Sequence, residues 1–275
     1  MLVKLMKYEF RSSARLFLSA YCIFAALLVI GRLSIFGLTV LVDTDLESAK
    51  ILSAGSVFML CFLTVLAIFA LFCLPLLFSA IRFYRSTATD EGYLTFTLPV
   101  KTEQVIFSKL LVALIWEAAT ALLAIVLGVL FFMSFDVRST LEVLQLFPES
   151  FFRNISEYPF WGACFAEFLV ALPLCAAHGI LQSYSAISIG QACGRHKLLA
   201  SIGIYIGMQF AVSFLSQMLT VPVMFASFRS TDTSLRVLQD TFFLSMALNL
   251  LLIAGLLVVQ FLLCRYFLKK KLNLS

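Results

Sequence analysis

The sequence predicts an all-α integral membrane protein. Six transmembrane helices are expected, with both termini cytoplasmic, an N-terminal interfacial helix and a short cytoplasmic helix between spans two and three. Three observations carry this. The composition is 62% hydrophobic and only 13% charged, with a mean hydropathy of +1.03, far outside the usage of soluble domains. Six apolar runs occupy residues 16–42, 53–81, 104–134, 160–191, 198–225 and 241–267. Each meets the roughly 20 residues that a helix needs to cross a hydrocarbon core of about 30 Å with every amide bonded internally. Finally, fourteen of the twenty basic residues fall on the side of the two termini and five on the other side, among nine acids from Asp43 to Asp240. That bias places the termini in the cytoplasm.

The 275 residues are read as one transmembrane domain. Residues 1–15 put Leu2, Leu5, Met6 and Phe10 on one helical face and Lys4, Lys7 and Arg11 on the other. This pattern fits an interfacial helix on the inner leaflet, or a basic flank that fixes orientation. The first run is longer than a signal peptide's apolar core and lacks a small-residue cleavage pattern, so it is expected to be retained. Within it, Arg32 is costly if charged near the bilayer centre. Snorkelling to the outer interface is one reading; an ion pair with Glu167 at similar depth is another, with Glu117 a further candidate partner.

The second span carries Pro75 and gives way to a polar stretch, 82–109, which reads RFYRSTATDEGYLTFTLPVKTEQVIFSK. Here Tyr93 adjoins Phe96, and Leu94 adjoins Leu98, at helical spacing, which predicts a short amphipathic helix ended by Pro99. Thr102 is the expected cap of the third span, with Glu103 in its first turn. After that span, residues 135–159 form an external amphipathic segment. There Leu141, Leu144, Phe147, Phe151, Phe152 and Ile155 alternate with charges around Pro148, predicting two short helices on the outer leaflet.

The fourth span is divided by Pro173, and its inner half carries His178, Gln182, Ser183, Ser185, Ser188 and Gln191. Polar side chains at membrane depth face protein or water, so these serve helix-to-helix hydrogen bonds or line a cavity. A turn at 194–197 leads to the fifth span, where Gly203, Gly207 and Ala211 form a small-residue stripe suited to close packing within the subunit or to dimerisation. The sixth span ends in CRYFLKKK, a basic cytoplasmic flank. None of the seven cysteines falls outside, so no disulfide is expected.

Several chemistries find no support. There is no GxxxxGK[ST] phosphate loop, no HExxH and no GxSxG, and only two histidines occur. No catalytic set is present, so the chain is not expected to be an enzyme. Its net charge of +5 is spread over membrane flanks and does not point to nucleic acid.

Residues 83–111, FYRSTATDEGYLTFTLPVKTEQVIFSKLL, resemble a segment of type-2 ABC transporter permeases. In it an acidic pair and a small residue precede Tyr-Leu, a short apolar stretch, Leu-Pro-Val and a Ser-Lys. YSAISIGQACGRHKLLASIGIYIG, at 184–207, is similar to the fourth and fifth spans of the same permeases, and KLMKYEFRSSAR resembles their opening interfacial helix. Together these cover under half of the chain. The resemblance implies a permease subunit of an ATP-driven exporter of a peptide, drug or lipid-like substrate, in a multi-pass bacterial plasma-membrane setting. Its partners would be a second permease copy or a related one, a cytoplasmic ABC ATPase and membrane lipid. ATP would be bound by that partner, and this chain would hold no cofactor. The loop after span two would be a coupling helix docking on the ATPase through Asp90, Glu91, Gly92 and Tyr93, with Arg195 to Lys197 as a smaller second contact. One departure is that 136–159 exceeds 226–240, whereas many of these permeases place their largest external insertion before the last span. A different class remains open: a non-transporting sensor or immunity protein that binds a peptide or recruits a partner through 82–103.

Overall fold

The computed structural model describes residues 2–42, 47–88, 101–133, 137–193, 196–229 and 235–271. Among them the chain is helical throughout, without strands. The helices are α1 (Leu2–Val42), α2 (Glu47–Ala88), α3 (Thr102–Phe132), α4 (Val137–Glu157), α5 (Pro159–Gly190), α6 (Lys197–Arg229) and α7 (Leu235–Lys271). Six of these are long and apolar enough to cross a membrane: all but α4. The architecture is therefore that of a multi-pass membrane protein.

Burial is inverted relative to a soluble bundle. Phe58 is 75% exposed and Phe210 74%, whereas Ser185 and Thr120 are fully buried and Gln260 is 1% exposed. Apolar surface turned outward is at no disadvantage in lipid. Polar side chains turned inward face protein rather than hydrocarbon.

The helices pack as two triplets. α1, α2 and α3 pack together, as do α5, α6 and α7; α2 and α3 join the triplets through α5, and α3 also touches α7. The main apolar core lies on that seam, where Phe83, Ile106, Leu110, Ile180, Leu181, Tyr184 and Leu268 meet. Phe83 stacks on Tyr184 at 4.1 Å between ring centres, with planes 10° apart. A second core joins α1 to α3: Trp116 stacks on Phe17 at 4.5 Å and on Phe10 at 4.9 Å, two residues seven apart and hence on one face of α1.

Three details differ from the sequence reading. Residues 2–15 do not form a separate helix but are continuous with the first span in α1. At 41 residues α1 is about 60 Å long, twice the hydrocarbon core, so much of it must project beyond the hydrocarbon. The segment around Pro148 is one helix, α4, rather than two. A proline removes only one backbone bond, and α4 is held from outside by Phe151 against Phe165 of α5 at 4.9 Å. The cap of α3 is Lys101 instead of Thr102: Lys101 is extended (φ −71°, ψ 140°), and its backbone N–H is accepted by the Gln104 side chain at 3.4 Å.

Candidate functional site

The polar loop between α2 and α3 was the sequence's strongest pointer to function. Asp90, Glu91, Gly92 and Tyr93 lie outside the described residues, and so does Arg195. What the structure describes is the loop's two roots, Ala88 on α2 and Lys101 before α3, and how they are held.

Both roots converge on one carboxylate. Arg82, near the end of α2, donates from Nε to Glu9 Oε2 at 2.6 Å and from Nη1 to the Ser13 hydroxyl at 2.6 Å. Lys109, in the second turn of α3, donates from Nζ to the other oxygen of Glu9. Glu9 and Ser13 are four apart on α1, which puts them on one face. The Lys109 side chain is only 4% exposed, so the ion pair with Glu9 helps to keep its charge in place. A cavity of about 30 Å³, large enough for a water molecule, lies beside the cluster and is lined by Ser13, Arg82, Trp116 and Tyr184 among others.

Above this cluster the α1–α3 seam is continuous. Lys109, Trp116 and Thr120 share one face of α3 by their spacing of seven and four. Trp116 takes Phe10 and Phe17, and Tyr21 Oη lies 2.6 Å from Thr120 Oγ1. A pull on the start of α3 therefore reaches α1 through an ion pair, a stack and a hydrogen bond.

The roots are also tied to the other triplet. Gln191, at the end of α5, donates from Nε2 to Thr87 Oγ1 of α2 at 3.1 Å, and both residues are buried. Glu103, in the first turn of α3, pairs with Arg265 of α7 at 2.8 Å, a half-exposed contact. At the same end, α5 and α6 meet so closely that a Cβ on Gly190 would collide with Ser201 Oγ and lie 2.7 Å from the Ser201 backbone. Only glycine fits there. Lys197, the described member of the second contact, opens α6 and is half-buried.

The polar residues of the fourth span, now α5, take up partners within the bundle. Gln182 donates to Gln209 of α6 at 3.0 Å, Ser185 to its own helix and to Met208 Sδ, and Ser188 lies 3.4 Å from Cys264 Sγ of α7. His178 and Gln260 form the unsatisfied spot. Among the described residues, His178 Nδ1 and both amide atoms of Gln260 lack a hydrogen-bond partner, although Gln260 lies beside the imidazole. Glu117 Oε2 and Glu167 Oε2 are likewise buried without a partner among the described residues. The Arg32 side chain lies outside what is described, so its pairing with Glu167 does too. Gly203, Gly207 and Ala211 lie on the exposed surface of α6, and neither glycine has a neighbour within 4 Å of its Cβ position. The stripe does not serve packing among the described residues of its own subunit.

Sequence reasoning missed Glu9, the hub of the cluster. A signal was present: it is the sole acid among the first 42 residues, set among four basic ones. Gly190 was also missed, as was Gln260, which with Asn249 is one of two amide side chains in the sixth span. No family model, no curated protein and no solved structure matches the chain.

Proposed function

We propose that this chain is the permease subunit of an ATP-driven exporter of the ABC class, working as a pair of membrane domains with a cytoplasmic ATPase. The resemblance of 83–111 and 184–207 to type-2 permeases motivates the reading, with the termini and the loop at 89–100 cytoplasmic by the charge bias. The observation that carries it furthest is the bracing of that loop's roots. A loop that only connects two spans needs no such fixing. A loop that transmits force does, because motion at 89–100 would otherwise be lost in bending of the helix ends. Here Arg82 and Lys109 share Glu9, Thr87 is tied to α5, and Glu103 to α7. The substrate path would run between two subunits, and ATP binding in the partner would shift the pair between inward-facing and outward-facing forms.

Such a loop biases that equilibrium only if its contacts with the ATPase differ between the two states. Glu91 and Tyr93 are assigned those contacts. The test is purification of the full chain from its native cells with its associated subunits, followed by ATPase and transport assays in vesicles. An ATPase with a phosphate loop should co-purify. Replacing Glu91 and Tyr93 together by Ala should leave hydrolysis running without transport, or abolish the association. Absence of any co-purifying ATPase, or full coupling in the double variant, overturns the reading.

A further inference from the structure

Both faces of the Trp116 indole are covered. Phe10 and Phe17 stand seven residues apart on α1, about 10 Å along its axis, and stack on the indole at 4.9 and 4.5 Å, so one ring lies on each side. Only the edge of the indole can meet anything else. That edge carries Nε1, which is buried and has no hydrogen-bond partner among the described residues. An indole nitrogen is a donor only, so nothing but an acceptor can satisfy it. Trp116 is 5% exposed and lines the cavity of about 30 Å³ beside the Glu9 cluster. Groups with accepting capacity line the same cavity. Each carboxylate oxygen of Glu9 takes one cation and keeps a lone pair. The Ser79 hydroxyl donates to the Leu76 carbonyl at 2.9 Å and can still accept.

We propose that this cavity is the site of one structural water molecule, which accepts from Trp116 Nε1 and donates to the Glu9 carboxylate and to Ser79 Oγ. The volume exceeds the roughly 10–15 Å³ that one water needs, and about three hydrogen bonds are usual for a buried water. An ion of either sign is a poorer occupant. An anion would face the Glu9 carboxylate, and a cation would face the Arg82 guanidinium and the Lys109 ammonium, all of which line the same cavity. Only a neutral molecule that both accepts and donates suits every group there. So placed, the water joins α3 to α1 and α2, the helices that the ion pairs already join, and makes the aromatic stack part of one hydrogen-bonded unit. This inference rests on the packing of those three helices and not on the exporter reading, so either survives failure of the other.

The test uses the full chain in mild detergent with its tryptophans labelled with nitrogen-15. Trp116 and Trp161 are the only two, so the indole region of the NMR spectrum holds two N–H signals, and Trp116→Phe assigns them by loss of one. In wild type the Trp116 indole proton should show a nuclear Overhauser cross-peak to water with the sign of a long-lived contact. Absence of that cross-peak from the assigned signal overturns the proposal. Ala113→Val, which adds bulk to the cavity wall, should remove the cross-peak while the indole signal stays; an unchanged cross-peak would place the water elsewhere and overturn it. Ser79 and Tyr184 also line the cavity, and their hydroxyl protons exchange with solvent. In Ser79→Ala and in Tyr184→Phe, made singly, a bound water keeps its contact with the indole and the cross-peak should persist. Its loss in either variant assigns the signal to the hydroxyl and overturns the proposal, an arm that decides even where Ala113→Val fails to fold.

Discussion

Removing the Glu9 carboxylate takes away the anion that Arg82 and Lys109 share and leaves the two cations close together. Because Lys109 is nearly buried and Arg82 about a quarter exposed, solvent screens this poorly. Glu9→Gln is expected to cost about 3 kcal/mol, the lower end for breaking a buried pair, and to lower the melting midpoint in detergent by several degrees. The half-exposed pair of Glu103 and Arg265 provides the contrast: Glu103→Gln should cost less than about 1 kcal/mol and barely move the midpoint. Equal effects would mean that the Glu9 cluster is solvated and not a brace. Gly190→Ala is a steric case. Its methyl would fall on Ser201 backbone atoms, which cannot rotate away, so α5 and α6 must separate at about 1–3 kcal/mol; Gly203→Ala, with open space, should be near neutral in the same melting assay. Glu9 stood out in the sequence only as a lone acid among basic residues, and Gly190 not at all. The partners of Glu9 are 73 and 100 positions away, and a helical glycine reveals its role only when the facing helix is in place.

At the scale of the element, the spans were legible because hydrocarbon imposes length and composition on each one separately. The third illustrates this, read at 104–134 and found at Thr102–Phe132. The first shows the opposite. Its basic start reads as a separate interfacial segment, since charge breaks an apolar run, yet α1 continues through it because the neighbouring helices supply Glu9 with counter-ions. Pro148 misleads in the same way: a breaker inside a periodic segment suggests two helices, while packing of Phe151 on α5 holds one. In α5 the polar run was visible but not its partners. Gln182 shows what those partners contribute: Gln209→Leu would strand its buried amide at about 1 kcal/mol, within the range found for hydrogen bonds between membrane helices. The double variant Gln182→Leu with Gln209→Leu should recover most of that loss, as removing both partners leaves nothing unsatisfied. Reversible unfolding in mixed micelles measures both; a double variant no better than the single would show that Gln209 acts by packing alone.

For the whole molecule, the alternation of the helices places Glu9, Arg82, Lys109, Gln191 and Arg265 at one end of the bundle, while α4 packs on the start of α5 at the other. The packing fixes which groups share an end, and the basic residues decide which compartment that end faces. These are independent, so the orientation can be tested without disturbing the brace. Cys193 is exposed just past the end of α5, and Ser150 is exposed on α4. In a variant whose other cysteines are replaced, Cys193 should react with a membrane-impermeant maleimide only after the cells are permeabilised. With Cys193 also replaced, Ser150→Cys should react in intact cells. The reverse pattern would put the loop at 89–100 outside, where no ATPase could reach it, and would remove the exporter reading together with the cytoplasmic assignment.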